Sequence, residues 1–375
     1  MNRLQAVHAL GQSLWLDYIR RDLLSGGGLR RMIEDDAISG LTSNPAIFEK
    51  AIGGSSEYDE ALRALVRAGV DDPAELFEHI AIEDIRLAAD ELRKVYDRTR
   101  AADGYVSLEV SPRLAHDTDG TVAQARRLWQ AVGRANLMIK VPGTPAGVDA
   151  LRTLIGEGIN VNVTLLFSRE AYRDVALAYI DGLEQWTQRG GDAASVASVA
   201  SFFVSRIDAA MDAELLRRIA DGAVHTERLQ TLVGKVAIAN ARLAYQDYKS
   251  LYGEPRWQQL AQQHRARPQR LLWASTGTKN PAYRDTLYVE ELIGVDTVNT
   301  VPPATLDAFR DHGEARSRLE YALGEAREVF DTIGALQLPF TEIIERLVVD
   351  GVQLFVDADD KLLAAVAKKR DAMRG

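Results

Sequence analysis

Lys140 closes a run of strand-type residues, Asn136-Leu-Met-Ile-Lys140-Val-Pro142, a setting in which lysine is uncommon. Its side chain must reach water along the methylene stem or be partly buried, and burial favours the neutral, nucleophilic amine. A neutral amine attacks carbonyls. A lysine snorkelling from a strand end is the ordinary reading, but the neighbours argue against it. Further polar residues fall at the ends of similar apolar runs: Asp17, Asn44, Glu109, Asn162, Thr164, Ser201, Arg206 and Ser275. Taken singly, each is a turn former or a helix cap. Their recurrence at successive strand ends suggests one site.

Something must bring these distant residues together. Strand-length runs occur at Ser13–Ile19, Ile38–Asn44, Tyr105–Val110, Asn136–Val141, Asn160–Leu166, Ser195–Ile207, Leu271–Ser275 and Thr297–Val301, and the stretches between them have helical periodicity. Several runs are apolar on both faces, as parallel strands covered by helices require. Eight such strands favour a (β/α)8 barrel of TIM type, with an open doubly wound sheet as the alternative. In a barrel, the C-terminal strand ends form one functional mouth. The long connections Asn44–Tyr105 and Ile207–Leu271 have helical patterns, for example at Tyr58–Ala68 and Asp72–Arg98, and add helices to the barrel. The tail after Pro303 is also helical, through Lys361–Arg370, and either packs beside the mouth or mediates assembly. No composition break divides the chain, so residues 1–375 are expected to form a single domain.

Composition narrows the chemistry. With 375 residues and 46% apolar content the chain can build a large core. The absence of cysteine excludes disulfides, thiolate metal sites and cysteine nucleophiles. The net charge of −9 argues against general nucleic-acid binding. No apolar stretch has membrane-spanning length and no secretion signal is evident, so a soluble, non-secreted protein is expected. Gly26-Gly27-Gly28 lacks the Lys-Ser/Thr of a phosphate loop, and Gly143-Thr-Pro-Ala-Gly147 fits a tight turn between strand and helix. His8, His79, His116, His225, His264 and His312 show no metal-ligand spacing, so no metal site is expected. The acidic clusters Glu34-Asp35-Asp36 and Asp357 with Asp359-Asp360 are read as solvated faces or helix starts.

Seven segments together resemble the transaldolase family: Leu14-Trp-Leu-Asp17-Tyr, Gly40-Leu-Thr-Ser-Asn44-Pro, Val106-Ser-Leu-Glu109-Val-Ser-Pro, Asn136-Leu-Met-Ile-Lys140-Val-Pro, Ile159-Asn-Val-Asn162-Val-Thr164-Leu-Leu-Phe-Ser, Ser201-Phe-Phe-Val-Ser-Arg206-Ile-Asp and Trp273-Ala-Ser-Thr-Gly-Thr-Lys279-Asn. The resemblance runs from about Ser13 to Pro303, in the family's order. It implies a cytoplasmic pentose phosphate pathway enzyme of the class I aldolase superfamily that moves a dihydroxyacetone unit between sugar phosphates. The reaction would convert sedoheptulose 7-phosphate and glyceraldehyde 3-phosphate to erythrose 4-phosphate and fructose 6-phosphate. No cofactor is implied, and no nucleic-acid or membrane partner; a monomer or homodimer is expected.

Carried over by position, the resemblance makes Lys140 the Schiff-base lysine and Asp17 the acid/base at the cleaved bond, with Glu109 and Thr164 holding a catalytic water. It makes Asn44, Asn162 and Ser201 sugar-binding residues and Arg206 a phosphate ligand. Lys279 is a departure: many relatives carry an arginine in this segment, and a lysine offers a point charge in place of a planar fork. Phe202 and Phe203 could help to close the mouth. The nearest rival is a direct aldolase of the same architecture that releases free dihydroxyacetone. A binder that kept the barrel and lost turnover is a further rival, opposed by the intact Asp17, Glu109, Lys140 and Thr164.

Overall fold

The computed structural model describes residues 1–374, and its centre is a closed, all-parallel barrel of eight strands in chain order. The strands are β1 (Gln12–Asp17), β2 (Ile38–Thr42), β3 (Tyr105–Glu109), β4 (Leu137–Pro142), β5 (Val161–Leu166), β6 (Ser198–Phe203), β7 (Arg270–Ala274) and β8 (Thr297–Val301). Closure comes from β1 pairing with β8, Leu14 opposite Asn299 and Leu16 opposite Val301. The doubly wound alternative is thereby excluded. Strands such as β4 and β5 are buried along their whole length, which explains why apolar residues occupy both of their faces.

The strand limits differ from expectation where local signals compete. The predicted strand Ser195–Ile207 contains three elements: a 3-10 turn ending at Ser195, β6, and a helix starting at Ser205. Its β-branched and aromatic residues gave no hint of the break after Phe203. Asn44 lies beyond β2 and caps the helix Pro45–Gly53, its side chain accepting from the Ile47 N–H at 3.0 Å. The tight turn after β4 is present, with Thr144 capping the helix Pro145–Ile155.

The long connections are helical. Asp59–Arg67 and Pro73–Arg98 fill the first, while Val236–Gly253 and Pro255–His264 lie in the second. The tail is helical as its periodicity suggested and ends in a 35-residue helix, Phe340–Arg374, which includes Lys361–Arg370. It crosses the mouth: Gly351 lies against Leu165 at the end of β5, and Phe355 lies over Lys140. No helix among the described residues is long and apolar enough to cross a membrane.

Candidate active site

The pairing of β3, β4 and β5 places Glu109 opposite Lys140 and Lys140 opposite Asn162, so three candidates stand side by side. Lys140 is 5% exposed. Its Nζ donates to the Ser43 carbonyl at 3.2 Å and lies 3.3 Å from Glu109 Oε2. Phe355 of the C-terminal helix covers it, the ring centroid 5.6 Å from Nζ. The lysine is therefore walled in, and the charged group nearest to it is acidic.

Glu109 and Asp17 are both pushed above the usual carboxylate range, in each case mainly by burial. For Glu109, Lys140 opposes that shift while Asp17 and Asp359 add to it. For Asp17, Lys140, the Thr42 hydroxyl and Lys279 all oppose it. Thr42 donates to Asp17 Oδ1 at 2.7 Å and lies 2.6 Å from the Thr300 hydroxyl, so β2 and β8 jointly hold the carboxylate of β1. These hydroxyls were not singled out from sequence, although Thr42 stands in a quoted strand-end segment.

Thr164 is fully buried and its hydroxyl has no hydrogen-bond partner among the described residues; Glu109 Oε2 likewise lacks an aligned donor there despite its proximity to Lys140. Buried polar atoms left open in this way can take a water or a substrate hydroxyl. The backbone beside Thr164 is also unusual. Leu165 has φ of +62°, where a branched residue is rare, and the pairing of β5 with β6 shifts between Val163 and Leu166. Such irregularities re-aim side chains at strand ends.

One cavity gathers Asp17, Asn44, Lys140, Thr164, Ser201, Arg206 and Lys279. Asn162 lies beneath it: its amide donates to the Ser107 hydroxyl at 3.0 Å, and its oxygen accepts from Ser201 at 2.7 Å. Arg206, half-buried at the start of the helix Ser205–Ala220, has no carboxylate partner among the described residues. Burial holds its pKa below the usual value for arginine, and its guanidinium lies 5.3 Å from the Phe203 ring. An unpaired cation at a helix N-terminus suits an anion. Lys279 is exposed at the rim.

Strand alternation separates the two phenylalanines. Phe203 faces the cavity, whereas Phe202 packs edge-on against Trp273 in the core. The C-terminal acidic cluster also divides: Asp360 is exposed and pairs with Arg113, but Asp359 is buried, shares a second cavity with Glu109, and is pushed upward by that burial. The expectation of a wholly solvated face is therefore wrong for Asp359. Phe355 was not anticipated either, since only the packing of the tail brings it to Lys140. Among the described residues, no group of three or more histidine, aspartate or glutamate side chains is arranged to hold a metal ion.

This site can form an imine at a buried amine, move protons through two elevated carboxyl groups, and hold an anion at a half-buried arginine. Comparison with known proteins gives the family. A transaldolase of Thiobacillus denitrificans is 48% identical over 366 residues, covering 98% of this chain and 100% of the relative. A transaldolase of Trichodesmium erythraeum is 45% identical over 98% of this chain and 97% of its own length, and transaldolase 2 of Nostoc punctiforme is 46% identical over the same shares. With residues 14–366 also matching the profile described as transaldolase/fructose-6-phosphate aldolase, the chain belongs to that family.

Proposed function

We propose that Lys140 forms the Schiff base through which this transaldolase of the pentose phosphate pathway moves a dihydroxyacetone unit from a ketose phosphate to an aldose phosphate. The donor and acceptor are sedoheptulose 7-phosphate and glyceraldehyde 3-phosphate. The observation that carries this reading is the buried Lys140 amine 3.3 Å from the Glu109 carboxyl, in a cavity also lined by Asp17 and Arg206. In the cytoplasm, the chain would act on sugar phosphates as a single domain spanning residues 1–375, monomeric or homodimeric, without nucleic-acid or membrane partners.

The chemistry follows from the proton carriers. Lys140 gives a proton to Glu109 and attacks the ketone, forming a carbinolamine. Glu109 returns a proton to the departing hydroxyl through a water held with Thr164, and loss of water leaves a protonated imine. Asp17 then takes the proton from the hydroxyl beside the scissile bond. The carbon–carbon bond breaks, its electrons enter the imine to give an enamine, and the aldose phosphate departs. An incoming aldose phosphate reverses these steps, and hydrolysis frees Lys140. Asn44, Asn162 and Ser201 bind the sugar hydroxyls, while Arg206 and Lys279 bind phosphate.

The enamine must survive between substrates, which requires water to be kept out. Phe355 over Lys140 supports a transferase in preference to an aldolase. A donor-only assay with fructose 6-phosphate tests this: negligible free dihydroxyacetone is expected without acceptor, and sustained release would make the enzyme an aldolase. Phe355→Ala should raise the ratio of free dihydroxyacetone to transferred product by about five-fold, a modest change because only one wall of the pocket is lost. An unchanged ratio would remove the C-terminal helix from this role.

The pH dependence has a definite sign. Asp17 must be ionised to accept a proton, and burial raises its pKa, so kcat/KM should fall as pH drops through a value above the ordinary ~3.9 of aspartate. Lys279 is one of the cations that hold Asp17 down. Lys279→Met should therefore move the acid limb of the kcat/KM profile to higher pH; a limb that stays or moves lower would contradict the coupling.

A further inference from the structure

Behind Arg206, its helix carries two buried aspartates, Asp208 and Asp212, spaced to share one face. Each gathers one backbone N–H and one tyrosine. The Gly234 N–H donates to Asp212 Oδ1 at 2.9 Å and the Tyr283 hydroxyl to Oδ2 at 2.5 Å. The Ala237 N–H donates to Asp208 Oδ1 at 2.8 Å and the Tyr288 hydroxyl to Oδ2 at 2.9 Å. Both tyrosines follow Lys279 in the segment after β7. Gly234, at φ +72°, leaves room for this arrangement, since a Cβ there would meet the Tyr283 hydroxyl at 2.8 Å.

We propose that Asp212–Tyr283 and Asp208–Tyr288 are a positioning clasp for the phosphate end of the site, tying the segment that carries Lys279 to the helix that carries Arg206. This rests on the reading of those two cations as phosphate ligands. Near the mouth the start of the helix is tied to the end of β7, the Ser205 N–H donating to the Ser275 carbonyl at 3.1 Å and the two hydroxyls lying 3.0 Å apart, but beyond that the segment from Gly277 to Asn280 contains neither helix nor strand. Each carboxylate takes two donors, so the clasp also fixes Gly234 and the first turn of the helix Val236–Gly253. The Tyr283–Asp212 bond, at 2.5 Å, has the length of a charge-assisted one, while the Tyr288–Asp208 bond is an ordinary 2.9 Å and burial pushes Asp208 up to about 7. None of the four side chains lines the catalytic cavity, so the clasp acts only through the cations it places.

The test is Tyr283→Phe in the full-length enzyme, with Asp212→Asn as a second variant that preserves shape. Both should raise KM for fructose 6-phosphate and the inhibition constant of inorganic phosphate by about five-fold, as loss of one hydrogen bond allows, while kcat stays within about two-fold. Borohydride trapping of unphosphorylated dihydroxyacetone on Lys140 should be unaffected. A uniform loss across kcat, phosphate inhibition and trapping would mean a merely structural role and overturn the proposal. So would an unchanged phosphate constant in both variants, provided Lys279→Met and Arg206→Lys each weaken phosphate. If those two variants also leave phosphate inhibition unchanged, the phosphate reading itself fails, and the clasp falls with it.

Discussion

Lys140→Met is expected to abolish transfer, lowering kcat on the order of 10⁴-fold or more while the protein stays folded. The size follows from the chemistry. Without the imine there is no electron sink for the carbanion left by carbon–carbon cleavage, and no other residue in the cavity offers an amine so placed. Methionine fills much of the buried volume of Lys140 and contacts Phe355 as an apolar group, so folding should be largely spared. The substitution also leaves Glu109 without its cation, which by sign moves that carboxyl further up. Circular dichroism and steady-state assays check the result. Turnover within about ten-fold of the parent enzyme would eliminate the Schiff-base scheme.

The second large effect is expected at Asp17. Asp17→Asn keeps a group that can accept from Thr42 but cannot take a proton, so cleavage should slow by about 10²–10⁴-fold. Imine formation depends on Lys140, Glu109 and Thr164 and should survive. The discriminating readout is mass: trapping with fructose 6-phosphate should leave the intact ketose on Lys140 in the variant, and only the three-carbon unit in the parent enzyme. A three-carbon adduct forming at the parental rate in the variant would assign the cleavage proton to another residue.

Much of the barrel was legible because its signals are local. The fully buried strands carried apolar residues on both faces, and the polar residues towards their C-terminal ends marked the mouth. Lys140 beside Glu109 follows from that pattern together with parallel pairing. The end of β6 was not legible, since Val204 and Ile207 suit a strand as well as a helix and only tertiary packing starts the helix at Ser205. The placement of the C-terminal helix across the mouth was hidden for a deeper reason. Periodicity shows that the C-terminal segment is helical but not what covers its apolar face. Neither Phe355 over Lys140 nor the buried Asp359 could therefore be distinguished from ordinary surface residues. The paired roles of Thr42 and Thr300 likewise depend on closure of the barrel between its first and last strands.

The most direct test of the central claim is borohydride reduction in the presence of fructose 6-phosphate, followed by peptide mass spectrometry. The account predicts a single reduced dihydroxyacetone adduct, located on Lys140, formed in step with loss of activity. An active, folded enzyme that yields no adduct, or one carrying it on a different lysine, would contradict the account.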